Sequence, residues 1–81
     1  MITKVNFPKS GMGIEEGIIV RWLKAVGDQV EKGEPLVDVE TAKATVEVEA
    51  PVGGTLVKLL VAVGETAAVN TALAEIEDHH G

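Results

Sequence analysis

Apolar and acidic residues alternate along Val37-Asp38-Val39-Glu40 and again along Val46-Glu47-Val48-Glu49, as mirror images about Thr41-Ala42-Lys43-Ala44. Val39 answers Val46 and Val37 answers Val48, with Asp38, Glu40, Glu47 and Glu49 between them. Successive side chains leave a strand on opposite faces, so this period of two marks a half-buried hairpin. The pattern predicts a turn over Thr41 to Ala44, with Asp38 beside Glu47 and Glu40 beside Glu49 on a solvated face. Further strands are expected at about Thr3 to Phe7, Ile18 to Leu23, Leu36 to Glu40, Thr55 to Leu60 and Leu73 to Glu77. Leu56, Leu59, Leu60 and Val63 have the spacing of an amphipathic helix. Against a helix stand the Gly53-Gly54 turn signal before that run, which is no cap, and the β-branched Ile18, Ile19 and Val20 of the segment that resembles it.

That segment belongs to an internal repeat. Shifting the chain by 37 residues aligns Gly17 to Glu40 with Gly54 to Glu77 without a gap, and eight of 24 pairs are identical. Gly17 with Gly54, Val26-Gly27 with Val63-Gly64, and Glu40 with Glu77 are among them. Each half reads as a strand, a Val-Gly-acidic turn, a short strand and a final strand, with glycine supplying the backbone angles of the turn. Two similar halves are expected to share two facing antiparallel sheets in an all-β flattened barrel, a barrel-sandwich hybrid with a quasi-two-fold repeat. Trp22, Ile19, Leu23, Leu56, Leu60, Val39 and Ile76 are the expected interior. Residues 1–77 form the domain, Pro51-Val52-Gly53-Gly54 joins its halves, Pro8 to Gly13 is a loop, and residues 78–81 are a polar tail or the start of a linker.

Thirteen valines, with Phe7 and Trp22 as the aromatic residues, reinforce the β reading. At 81 residues the chain is one small domain, too small for a deep catalytic cleft. It has no cysteine, so thiolate metal sites, thiol nucleophiles and disulfides are excluded and redox chemistry would have to come from an attached group. A net charge of −6 has the wrong sign for neutralising phosphates, which argues against nucleic acid. No apolar run is long enough for a membrane span, and the first ten residues lack the apolar core of a signal peptide. The expected location is the cytoplasm, or the mitochondrial matrix in a eukaryote.

Candidate chemistry narrows to one residue. Gly11-Met12-Gly13 with Gly17 has the wrong spacing for a dinucleotide loop, and no βαβ unit surrounds it. His79 and His80 lack the partners of a metal site. Ser10 is the sole serine, and histidine occurs only in the tail, so no nucleophilic triad can be assembled. Lys43, by contrast, is the only cation between Lys32 and Lys58, set at the tip of the mirror-patterned hairpin. An ordinary lysine ammonium is no spontaneous nucleophile, so an enzyme would have to acylate it.

From about Thr3 to Glu77 the chain resembles the lipoyl domains of the acyltransferase (E2) components of 2-oxo acid dehydrogenase complexes. The resemblance is carried by Pro8, Met12-Gly13-Ile14-Glu15-Glu16-Gly17, Trp22-Leu23-Lys24, Val26-Gly27-Asp28, Val30-Glu31-Lys32-Gly33-Glu34 and above all Glu40-Thr41-Ala42-Lys43-Ala44. Ala42 departs from the aspartate usual before the lysine, which bears on recognition by partners more than on attachment.

The resemblance implies lipoic acid in amide linkage on Lys43, moving the net charge from −6 to −7. It further implies that Glu40, Thr41, Ala42, Ala44 and Gly54 serve the turn and recognition by a lipoate ligase or lipoyl transferase. Lys9, Ser10, Gly11, Met12, Gly13, Ile14 and Glu15 would form the loop by which a decarboxylase selects its carrier. The implied role is non-catalytic. The arm takes an acyl group from a thiamine-dependent decarboxylase (E1), delivers it to the acyltransferase (E2) for coenzyme A, and is reoxidised by dihydrolipoyl dehydrogenase (E3). The isolated domain would be a monomer. A biotin carrier domain shares the displayed lysine but is expected to flank it with methionines, where this chain has Ala42 and Ala44. An unmodified structural hairpin domain, as in membrane efflux adaptors, is the third reading.

Overall fold

The computed structural model describes residues 1–8 and 14–78. They form eight strands: β1 (Ile2–Asn6), β2 (Glu16–Trp22), β3 (Gln29–Val30), β4 (Pro35–Glu40), β5 (Thr45–Glu49), β6 (Gly54–Leu59), β7 (Thr66–Ala68) and β8 (Ala72–Glu77). Sheet one runs β1-β8-β6-β3 and sheet two runs β5-β4-β2-β7, every pairing antiparallel. The all-β expectation holds, and the segment with helical spacing is strand β6. No helix among the described residues is long and apolar enough to cross a membrane.

The repeat is visible in the backbone itself. A shift of 37 residues carries β2, β3 and β4 onto β6, β7 and β8, yet β3 pairs with β6 and β7 with β2. Each half therefore lends its short strand to the other half's sheet, which interlocks them. Gly27 and Gly64 adopt φ of 97° and 91°. Gly33 aligns with Asn70, and both are left-handed at 87° and 67°, asparagine being among the side chains that tolerate that region best. The Val-Gly-acidic turns cross between halves: Gly27 N–H donates to Leu56 O at 2.7 Å, and Gly64 N–H to Ile19 O at 2.8 Å.

Leu36, Val37, Val39, Leu56, Leu73, Ala74 and Ile76 are fully sequestered between the sheets, with Val5, Phe7, Ile19 and Val48 nearly so. Three expected core residues are not. Trp22 and Leu23 are half-buried, and Leu60 is 37% exposed. β2 and β6 each carry an irregularity, after Ile19 and after Leu56, and end at Trp22 and Leu59, so the leucines fall at the rim. Trp22 keeps its ring packed against the core while its Nε1–H donates to Val61 O at 3.0 Å. Asp78, placed in the tail on sequence grounds, belongs to the folded body: it is buried, and its N–H donates to Met1 O at 2.7 Å.

Lys24 and Glu34 brace the first half across 3.0 Å, and Glu34 also accepts from Glu31 N–H. The hydrogen bond from Lys24, and after it that from Glu31 N–H, lowers the pKa of the Glu34 carboxyl, and Glu34 raises that of Lys24 in turn. Glu34 then contributes stability above its unfolded pKa that is lost as pH falls through the lower folded value. Lys24 contributes below its unfolded pKa and loses that as pH rises through the raised one. Urea midpoints of the wild type and Glu34→Gln are expected to differ near neutrality and to converge in acid. The pair is half-buried at the surface and still reached by solvent, so the gap will be small.

Candidate functional site

The hairpin comes out in the expected register, Val37 opposite Val48, Asp38 opposite Glu47 and Val39 opposite Val46. One carboxylate pair does not form. Reflection about the turn puts Glu40 against Thr45, and the irregularity between Pro35 and Val37 sends Glu49 against Pro35. Asp38 is instead drawn to Arg21 at 3.3 Å, across the β2–β4 pairing. Glu40, Glu47 and Glu49 remain exposed on the outer face of sheet two, where charges on the edge strand β5 also discourage pairing with another chain. Sheet one differs, because there Glu75 lies between Lys4 and Lys58 on neighbouring strands.

The turn that carries Lys43 is organised by Thr41. Two-residue hairpin turns favour positive φ, but neither Ala42 nor Lys43 adopts it, and Asn70 is the one non-glycine residue that does among those described. Thr41 compensates. Its Oγ1 accepts from Lys43 N–H at 3.3 Å and Ala44 N–H at 3.1 Å, and donates to Ala44 O at 2.6 Å. Its own N–H also donates to Ala44 O, at 2.9 Å. Every hydrogen-bonding position of the hydroxyl is thus used, and Thr41 is buried although its neighbours Ala42, Lys43 and Ala44 are exposed. Thr41→Val keeps the shape but strands two turn N–H groups; it is expected to cost about 1–2 kcal/mol in urea unfolding, with Thr41→Ser recovering most of it.

Beneath the turn lies Gly17, the first residue of the internal repeat. A Cβ there would overlap Val39 Cγ1 and stand 3.0 Å from Glu40 O and 3.3 Å from Phe7 Cε2. Its repeat mate Gly54 meets Glu77 in the same way, its Cβ overlapping the Glu77 carbonyl. The pairs Gly17 with Gly54 and Glu40 with Glu77 were legible as identities; that each glycine packs on its own half's glutamate was not.

These contacts also orient the molecule. Phe7 follows β1 and sits by Gly17 and Glu40, at the Lys43 end, whereas Ile2 at the other end of β1 pairs with Glu77. Five strand residues separate them by roughly 17 Å. Gly54, against Glu77, is therefore not brought to the Lys43 turn, and it opens β6 rather than occupying a turn. Of the loop expected to be read by a partner, Lys9, Ser10, Gly11, Met12 and Gly13 lie outside the described residues. Ile14 is buried, and Glu15 is exposed with its carbonyl accepting from Val69 N–H at 2.9 Å. Both lead into β2 at the Lys43 end, since Ile18 is opposite Glu40. Glu40, Thr41, Ala42, Lys43, Ala44, Ile14 and Glu15 thus share one end of the molecule. His79 and His80 are also outside the described residues.

The biotin/lipoyl family model, described as "Biotin-requiring enzyme", matches residues 3–76. The dihydrolipoyllysine-residue acetyltransferase component of the pyruvate dehydrogenase complex of Corynebacterium glutamicum is 45% identical over 94% of this chain, and the chain spans 11% of that relative's length. Among solved structures, the lipoyl domain of the 2-oxoglutarate dehydrogenase complex from Azotobacter vinelandii superposes with a TM-score of 0.69 over 99% of both chains, at 24% identity. Kluyveromyces lactis urea carboxylase gives 0.82 over 95% of this chain and 6% of its own, at 23% identity. At such identities the two structures speak to the fold alone.

Proposed function

Since the chain belongs to the biotin/lipoyl attachment family, we propose that it is the lipoyl carrier module of a 2-oxo acid dehydrogenase complex, with the lipoyl group amide-linked to Lys43 Nζ. The observation that carries the choice of residue is the turn: an exposed lysine on a backbone fixed by the buried Thr41 hydroxyl. Likeness over nearly the whole chain to a dihydrolipoyllysine-bearing acetyltransferase supports lipoate over biotin. So do the alanines on either side of Lys43. The site fits the group because acylation needs an amine that a second enzyme can enclose from outside, which a two-residue tip beyond the last strand pair permits.

When attached, the group supplies a dithiolane that accepts an acyl unit reductively. The chain's own residues display and orient it. Thr41 holds the tip, Gly17 lets β2 close against Glu40, and the exposed carboxylates of Glu40, Glu47 and Glu49 give a lipoate ligase and a decarboxylase a charged face to read. Residues 1–78 form the module. The segment from Lys9 to Glu15, whose last two residues, Ile14 and Glu15, lead into β2 at the same end, is assigned to selection by the decarboxylase. The acyltransferase domain and dihydrolipoyl dehydrogenase are the onward partners. The test is to lipoylate the protein with a lipoate ligase, confirm the modified mass, and offer it to thiamine-dependent decarboxylases with pyruvate, 2-oxoglutarate or branched-chain 2-oxo acids. One pairing is expected to acylate the arm. Biotinylation in place of lipoylation by the matching ligases would overturn the reading.

A further inference from the structure

Among the described residues, seven large apolar side chains are exposed: Met1, Ile2, Ile18, Val20, Val26, Leu60 and Val63. Two of them lie close to the Lys43 turn. Ile18, 49% exposed, stands directly opposite Glu40 on the outer face of sheet two, and Val20, 43% exposed, follows it on β2 at the irregularity. The bonds from Gly64 N–H to Ile19 O and from Ile19 N–H to Glu65 O bring Val63, 60% exposed, alongside the same strand. Around this patch the outer face is polar, with Glu16, Glu40, Thr45 and Glu47 all exposed. Met1 and Ile2 are at the opposite end of the molecule.

Neither Ile18 nor Val20 belongs to the buried core cluster. β-branched polar residues would serve an exposed strand position equally well. Lys43 is three residues beyond Glu40, so its Cα lies at most about 10 Å from that of Glu40 and, with the strand spacing of about 5 Å across to β2, about 11 Å from that of Ile18. A lysine side chain extended by an eight-carbon acyl group reaches on the order of 13 Å. The arm is long enough, uncharged once amidated, and tethered beside an apolar patch bordered by carboxylates that would not receive it.

We propose that the idle acyl arm on Lys43 docks across Ile18 and Val20, on the outer face of sheet two. This rests on the carrier reading above. Burying on the order of 60 Å² of methyl surface favours the docked arm about tenfold before its torsional ordering is counted. The contact is thus easily broken when a partner enzyme takes the arm, and while it lasts it keeps the dithiolane at the end of the molecule that partners approach.

Methyl-labelled protein, unmodified and fully lipoylated as verified by intact mass, tests the assignment. Lipoylation is expected to shift the methyl resonances of Ile18 and Val20 and leave Ile2 unmoved. In lipoylated Ile18→Thr/Val20→Thr, which retains β-branched strand residues, a water-soluble phosphine is expected to reduce the dithiolane several-fold faster than in the wild type. Unmoved Ile18 and Val20 methyls in protein of the lipoylated mass, or equal reduction rates, would overturn the docking and leave the carrier reading standing. Failure of any ligase to add the lipoyl mass would strike the carrier reading itself. If the double variant only slows acylation by a decarboxylase, with no methyl shifts in the wild type, the patch serves the partner enzyme and the proposal fails.

Discussion

Lys43→Arg is expected to abolish lipoylation completely while leaving the fold and its stability unchanged. Arginine preserves the positive charge and most of the stem, but its guanidinium is always protonated, with its lone pairs delocalised, and forms no amide under ligase conditions. The backbone of the tip is held by the Thr41 hydroxyl through Lys43 N–H and Ala44 N–H, bonds that arginine retains. An exposed substitution away from packing should move stability by no more than about 0.5 kcal/mol. Intact mass after exhaustive incubation with ligase and lipoate should therefore show only unmodified protein, with a wild-type urea midpoint. Lys4, Lys9, Lys24, Lys32 and Lys58 remain in the variant, so persistent lipoylation would mean that one of them is the acceptor and that the hairpin display is incidental.

The same hairpin shows what a sequence can and cannot carry. Alternation with acidic residues fixes a strand's faces, and reflection about Thr41 to Ala44 fixes its register, so Val37 with Val48 and Val39 with Val46 could be read directly. What breaks the period could not. Extra residues at Val20 and Leu36 slip the alternation, which is why Leu36 and Val37 are both buried and why Trp22 and Leu23 reach only the rim. Thr41 left no periodic signal either. Its place in the motif drew attention to the neighbouring lysine, but only the structure gives its hydroxyl three turn partners. The exchange of β3 and β7 between halves was anticipated only as two halves sharing two sheets, because a repeat reveals equivalence and not which copy an element pairs with.

Gly54→Ala should be the most destabilising glycine-to-alanine change in the described chain. The new Cβ would overlap the Glu77 carbonyl oxygen and come within 2.9 Å of Glu77 C and Ile76 Cγ2. Glu77 is paired on both sides, to Ile2 and to Thr55, so its backbone cannot withdraw without separating β8 from β1 or β6. At Gly17 the first obstacle is a Val39 methyl, which can yield somewhat more than a backbone can. Gly27 and Gly64 have open space around the Cβ position, so alanine there meets only the cost of positive φ, about 1 kcal/mol. The expected order of loss is Gly54→Ala, then Gly17→Ala, then Gly27→Ala, with the first costing roughly 3 kcal/mol or more against a total stability of about 4–12 kcal/mol for a domain of this size. Urea unfolding of the three variants checks the ranking. Lipoylation per folded molecule, measured at low temperature, separates packing from recognition: Gly54 lies at the end away from Lys43, so its variant should be modified at the wild-type rate. Gly17→Ala strains the β2–β4 contact under the turn itself and should be modified more slowly. A Gly54 variant that folds normally yet resists the ligase would reverse this assignment and make the residue part of what the enzyme reads.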